Sequence, residues 1–168
     1  MIIGIDSMIL IYAGLVPRKS GKLSKKLEEL GVRSKLLLHM RSKDIIVLPT
    51  IAISEVLVPV AAAQRGILLT ELSSRFLCPP FDMSAAAIAA DLWSQHKRLP
   101  DDLQYQDRHV LRADAMIVAA AKSAGATEFY SHDRRCRALA DIVMTGCDLP
   151  TRDPNDMFLI NDIRRGEV

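Results

Sequence analysis

Cysteine, long apolar runs and aromatic residues are all scarce in this 168-residue chain, and each scarcity narrows what the chain can do. The three cysteines, Cys78, Cys136 and Cys147, are odd in number and have no C-x-x-C spacing, which excludes a disulfide framework and argues against a cysteine zinc site. They read as free thiols in a reducing compartment. No stretch of about eighteen uncharged apolar residues occurs, so no membrane-spanning helix is expected. The apolar N-terminus lacks a basic leader and a small-residue cleavage site, and it carries Asp6 in its middle, which speaks against a secretion signal. A cytoplasmic, membrane-free protein is the expectation. Trp93 and the tyrosines lack the regular spacing of a base-stacking platform. Repeats and low-complexity linkers are missing too, and a chain of this length can bury a core as one domain spanning 1–168.

What charge there is lies unevenly. The net charge is +2, yet Arg18 to Asp44 alone carries nine Lys and Arg against Glu28, Glu29 and Asp44, so the rest of the chain is net acidic. A polyanionic partner accounts for such a block, and a solvated amphipathic helix accounts for it equally well, since Lys25 and Lys26 alternate with Leu23, Leu27 and Leu30.

Short apolar runs alternate with helical patterns. Met1-Ile-Ile-Gly-Ile-Asp6 reads as a buried parallel strand ending in an acid, followed by a short helix from Ser7 that stops at Gly14. The basic segment of about 18–44 predicts a helical hairpin, or one helix interrupted near Gly31, inserted before a second strand at Asp44-Ile-Ile-Val-Leu-Pro49. Thr50 should cap the next helix, with Ile51, Ser54, Glu55, Val58 and Ala62 on one stripe and a kink or end at Pro59. A third strand is expected around Arg75-Phe-Leu-Cys78 before Pro79-Pro80, then an alanine-rich helix capped by Asp82 or Ser84 and reaching about Lys97. Leu99 to Arg108 is polar, has no period and reads as a loop. A helix around Ala113 to Ala121, closed by Gly125, leads into a strand at Glu128 to Ser131, a short helix at Arg135 to Ala140, a strand at Ile142-Val-Met144 and a helical tail of about 154–168. This order predicts a three-layer α/β/α sandwich around a mainly parallel sheet, whose ligands bind off the carboxyl ends of the strands.

Four acids are candidates for that edge. Asp6 and Asp133 end strands; Glu55 and Asp114 sit on the apolar stripes of helices, in what reads as their first turns. Asp114 shares its stripe with Ile117, Val118 and Ala121, a costly place for a charge. Four carboxylates in one pocket repel one another unless protons or cations neutralise them. A ligand set of carboxylates without His or Cys suits hard ions such as Mg²⁺ or Mn²⁺, and therefore metal-assisted phosphodiester chemistry.

The runs Ile5-Asp6-Ser7, Ile53-Ser54-Glu55-Val56, Ala113-Asp114-Ala115-Met116-Ile117-Val118 and Ser131-His132-Asp133 resemble, in order, spacing and context, the four acidic motifs of the PIN-domain ribonucleases, from Met1 to about Met144. The resemblance implies a Mg²⁺- or Mn²⁺-dependent endoribonuclease acting on RNA, with Asp6, Glu55, Asp114 and Asp133 as its metal-binding and catalytic acids and Ser7 and Ser131 in support. In VapBC-type toxin–antitoxin systems such a protein is the toxin, commonly a homodimer silenced by a small antitoxin whose tail enters the site. Two residues depart from the family pattern: Met8 stands where Asn is usual, and Cys136 where an aromatic is common. The basic insertion after Gly14 is also longer than a compact toxin requires.

Arg112, Arg134 and Arg135, with Arg137, are candidates for RNA phosphates, with solvated surface positions as the alternative. His132 should point away from Asp133, because adjacent residues of a strand face opposite ways. Two other classes of function compete with the nuclease. One is a PIN-like fold retained as an RNA- or protein-binding module, with Met8 marking relaxed catalytic demand. The other, an aspartyl-phosphate enzyme using Asp6, is disfavoured because no second acid follows two residues later.

Overall fold

The computed structural model describes residues 1–16 and 24–151. Four parallel strands form one sheet in the order β2-β1-β3-β4, with β1 at Ile2–Ile5, β2 at Ile45–Val47, β3 at Glu128–Tyr130 and β4 at Thr145–Cys147. Between them run α1 (Ser7–Ala13), α2 (Lys25–Met40), α3 (Thr50–Leu57), α4 (Ala62–Arg75), α5 (Met83–Gln95), α6 (Arg108–Ser123) and α7 (Arg134–Ala140). The crossover from β1 to β2 and the one from β2 to β3 run in opposite directions along the sheet. Right-handed connections therefore put α1 and α2 on one face and α6 on the other, the three-layer arrangement expected. No helix among the described residues is long and apolar enough to cross a membrane.

The inner strands are apolar on both faces because both are covered. Ile3, Ile5, Val47 and Phe129 are fully buried, against Leu10, Val118, Ala121 and Leu139 from the helices. Gly4 decides how closely α6 approaches β1. A Cβ at Gly4 would lie 2.7 Å from the Ala121 Cβ and 2.7 Å from the Phe129 ring, so only glycine lets the strand and helix meet at this spacing. Gly14 closes α1 in the left-handed conformation at φ 77°, and Gly125 does the same past the end of α6 at φ 88°. There Ala126 N–H donates to Ala121 O and Gly125 N–H to Lys122 O, the paired bonds of a Schellman stop.

Several local expectations are corrected. Among its described residues, 24–44, the basic segment makes a single helix, α2, capped by the Ser24 side chain. Gly31 does not interrupt it; Gly31 is where the helix packs closely on the carbonyl of Tyr12, 3.0 Å from where a Cβ would stand. Arg18, Lys19 and Lys22 of that segment, and the proposed tail of about 154–168, lie outside the described residues. Arg33 and Arg41 of the basic block serve internal contacts: Arg41 reaches Glu128 and Asp44, and Arg33 donates to the carbonyls of Leu149 and Pro150 beyond β4.

Pro49, not Thr50, occupies the cap of α3, and Val58 closes its C-terminal end because Pro59 has no N–H to continue it. Its buried face is Ala52, Ile53 and Val56, whereas Val58 of the expected stripe is 77% exposed and Ala62 opens a separate helix, α4. That helix extends to Arg75, so the expected third strand is reduced to one parallel bridge, Val47 to Leu77, before Pro79 and Pro80 end the pairing. Ile142 to Met144 form the turn after α7, with Val143 and Met144 N–H both bonded to Ala140 O, and the edge strand begins at Thr145. Asp82 caps α5 as expected, accepting from Ala85 N–H at 2.8 Å. The polar segment before α6 contains two short 3₁₀ turns, and α6 begins at Arg108, about a turn and a half before the motif helix was expected to start.

Replacing Gly4 with Ala should destabilise the protein by about 1–3 kcal/mol through overpacking between β1, α6 and Phe129. Urea unfolding measures this, and an unchanged midpoint would mean that the strand–helix spacing is softer than described.

Candidate active site

The four acids come to the carboxyl ends of the strands by four different routes. Asp6 follows β1 directly, its N–H donating to Tyr130 O and so extending the β1–β3 ladder by one bond. Asp133 follows β3 and caps α7, its carboxylate accepting from Arg135 N–H at 2.8 Å. Glu55 is the sixth residue of α3 and Asp114 the seventh of α6, so neither lies in a first turn. They reach the site because those helices pass over the edge of the sheet.

Hydroxyl groups hold this set together. Ser131 Oγ donates to Asp6 Oδ2 at 2.8 Å and accepts from Asp133 N–H at 3.1 Å, which fixes the direction of its proton toward Asp6. Ser7 Oγ lies 2.7 Å from Glu55 Oε2 and 3.2 Å from Asp6 Oδ1. It has one proton for two carboxylates, and the shorter distance assigns that proton to Glu55. Tyr105 OH donates to Asp114 Oδ2 at 2.8 Å. Met8 is 37% exposed; its side chain brings no hydrogen-bonding group to these acids, while its backbone N–H supports Asp6.

The electrostatics follow from burial and like charge. Burial pushes Asp6 above the ordinary carboxylate range, offset by the hydroxyls of Ser131 and Ser7. Glu55 is raised by burial and by the charge of Asp6, against the bond from Ser7. Asp114 is raised from 3.8 to about 7, first by burial and then by the charges of Asp6, Asp133 and Glu55, while Tyr105 pulls the other way. Asp114 therefore feels the other three acids at once. The Tyr105 phenol is pushed far up by burial and by Asp114, so it remains a donor at any physiological pH. Beneath these groups the buried thiol of Cys136 is held neutral by burial and by the same acids.

The donor chemistry fits a hard divalent cation: carboxylate oxygens, crowded enough that one is half-protonated near neutrality. Among the described residues no three Asp, Glu, His or Cys side chains stand as a finished coordination shell. The hydroxyl bridges account for part of this, since Ser7 and Ser131 occupy carboxylate oxygens that a cation would take.

The other candidates fall around this centre. Arg135 lies 3.9 Å from Asp133 and stacks 5.6 Å from the Tyr105 ring. Arg134 pairs with Asp102 on the surface, and the Arg112 guanidinium stacks over the Trp93 ring at 4.6 Å. His132 turns from Asp133 to Asp148, 3.3 Å away, where Arg33 and Arg137 also converge. Tyr105 escaped the sequence analysis. Its one signal was an aromatic residue in an otherwise polar stretch without period.

A parallel sheet with the acids Asp6 and Asp114 at its carboxyl edge defines the class, an α/β protein with an acidic edge. The chain belongs to the PIN domain family, whose model matches residues 5–142. PIN domains are generally nucleases. Among solved structures, the chain is similar to one from the VapBC2 complex of Rickettsia felis bound to a DNA fragment from its promoter, with TM-score 0.60 and 14% identity, covering 89% of this chain and all of that one. At that identity the likeness shows the fold. No curated protein sequence matches.

The metal-free protein should lose stability as pH rises from about 4 to about 7, because the folded state holds the Asp114 proton over that range while the unfolded state has released it. Asp114→Asn removes this loss. It should be more stable than wild type by on the order of 2–4 kcal/mol near pH 8 and indistinguishable near pH 4. Urea unfolding in EDTA at the two pH values reads the difference, and a variant destabilised equally at both would refute the crowding of the four acids.

Proposed function

We propose that the protein is a Mg²⁺- or Mn²⁺-dependent endoribonuclease that hydrolyses RNA phosphodiester bonds at Asp6, Glu55, Asp114 and Asp133. The observation that carries this reading is the meeting of the four acids at one sheet edge, where burial first, and then the charges of Asp6, Asp133 and Glu55, push the Asp114 carboxyl up to about 7. The four acids would hold the cation, and Ser7 and Ser131 would orient them. When bound, a divalent cation neutralises the phosphate and activates water for in-line attack. The chain's own residues do the rest. Ser131 aims Asp6 into the pocket, Ser7 ties Glu55 to Asp6, and Tyr105 keeps one oxygen of Asp114 engaged so that the other faces its neighbours. A cation held by these acids would favour the ionised form of Asp114. Arg134 and Arg135, with Arg112, flank the acids as contacts for the RNA backbone.

The protein further fits the toxin of a toxin–antitoxin pair, cytoplasmic, homodimeric and silenced by a small antitoxin. Support comes from the fold it shares with a chain of VapBC2, which the R. felis structure holds on promoter DNA. One observation favours a second reading, an RNA- or protein-binding module with weakened catalysis: no finished metal shell exists among the described residues.

Cleavage of single-stranded RNA with Mg²⁺ or Mn²⁺ separates these readings. Wild type should cleave, EDTA should abolish cleavage, and Asp114→Asn should fall by at least about 100-fold, as for loss of a group that acts in the transition state. No Mn²⁺ binding in calorimetry and no cleavage at any metal concentration would leave only the binding module. Tyr105→Phe should shift the acid limb of the pH–rate profile upward, because the lost hydrogen bond had favoured the ionised form of Asp114. An unmoved limb would remove Tyr105 from the site.

A further inference from the structure

Tyr105 has a second setting. Besides bonding Asp114, it lines a cavity of about 720 Å³ with Trp93, Lys97, Gln106, Arg108 and Arg112. The volume is that of a small-molecule site. Lys97, Arg108 and Arg112 are permanent cations, and no carboxylate lines the cavity among the described residues. Arg108 and Arg112 are one turn apart on α6 and share a face. The Arg112 guanidinium carbon lies over the Trp93 ring, 4.6 Å from its centroid, a cation–π pair, and both side chains are exposed. Nucleobases stack on aromatic rings and on arginine planes alike, and phosphates seek Lys and Arg.

We propose that this cavity is a nucleotide subsite of the RNA strand. It holds one base on the Arg112–Trp93 pair and the base's own phosphate on Lys97 and Arg108. Tyr105 both lines the cavity and bonds Asp114, so a strand seated there would lead past Tyr105 toward the four acids. This inference rests on the nuclease reading for its substrate, but its test can fail separately. Trp93 and Arg112 lie nineteen positions apart in sequence, which is why no stacking platform was visible in the spacing.

Trp93 is the only tryptophan, so the protein's tryptophan emission reports from this cavity alone. The probe is a 2′-O-methyl RNA hexamer, which resists cleavage, titrated into wild-type protein in EDTA. A saturable change in Trp93 emission that weakens with added salt is expected. By fluorescence anisotropy, Lys97→Ala/Arg108→Ala should weaken hexamer binding at least about fivefold and flatten its salt dependence by roughly 0.7 in slope, the value for one phosphate. The same pair should raise KM on cleavable RNA with kcat within about twofold. Trp93→Phe should bind as wild type does, and Trp93→Ala at least about fivefold more weakly. All these side chains are exposed, and circular dichroism confirms that each variant folds. Hexamer binding with unchanged Trp93 emission, an unchanged KM in the double variant, or no hexamer binding at all overturns the subsite. A normal emission response without cleavage under any metal keeps the subsite and sinks the nuclease.

Discussion

Four like charges gathered at the end of a parallel sheet are the constraint on which this protein depends. Burial makes Asp6, Glu55 and Asp114 harder to ionise, and neighbouring acids raise Glu55 and Asp114 further. Apart from Arg135 beside Asp133, the fold answers with hydroxyls: Ser7 spans Asp6 and Glu55, Ser131 links Asp133 N–H to Asp6, and Tyr105 holds Asp114. Hydroxyls relieve the charge only partly, and the Asp114 carboxyl stays raised to about 7. An arginine in their place would satisfy the acids and leave nothing for a cation to neutralise. The incomplete relief is the charge that the proposed cation would neutralise.

Around that pocket the rest of the structure is scaffolding with identifiable parts. Gly4 allows α6 to lie on β1, and so brings Asp114 over Asp6. The Schellman stop at Gly125 turns the chain from α6 into β3, and β3 delivers Ser131 and Asp133. Arg41 joins the end of α2 to Glu128 and Tyr130 on β3, and Arg33 fastens the chain beyond β4 to the same helix. Two cations of the basic block are thus committed to holding the sheet's flanks. Most of the arginines nearest the acids are spoken for as well, by Asp133, Asp102, Asp148 or Trp93, so RNA would have to compete with or extend these pairs.

Where sequence reading succeeded, a local physical rule was enough. The run from Ile2 to Ile5 is apolar and β-branched, and it is a buried strand. Gly14 and Gly125 sit just past helical patterns, and each takes the left-handed conformation. Where it failed, neighbours outvoted the pattern. Phe76 and Leu77 look like a strand, but α4 runs up to them and Pro79 follows, leaving room for one bridge. Ile142 to Met144 are apolar enough for a strand, yet their N–H groups are claimed by the end of α7, and the less apolar Thr145–Cys147 pairs with β3. The stripe proposed for α3 was off because Pro59 ended the helix before Val58 and Ala62 could join it.

The sequence alone determined the alternation of strand and helix, the parallel sheet, and the four acids with their motifs, since all of these rest on periodicity, caps and residue chemistry within a few positions. Only the tertiary structure decided that Asp6, Glu55, Asp114 and Asp133 repel one another in a single pocket, because their separations in sequence say nothing of their distances in space. It alone brought Tyr105 from a polar stretch onto Asp114, and Trp93 beneath Arg112. Such meetings are set by how α5 and α6 pack against the sheet. Packing is a property of surfaces that come from distant parts of the chain.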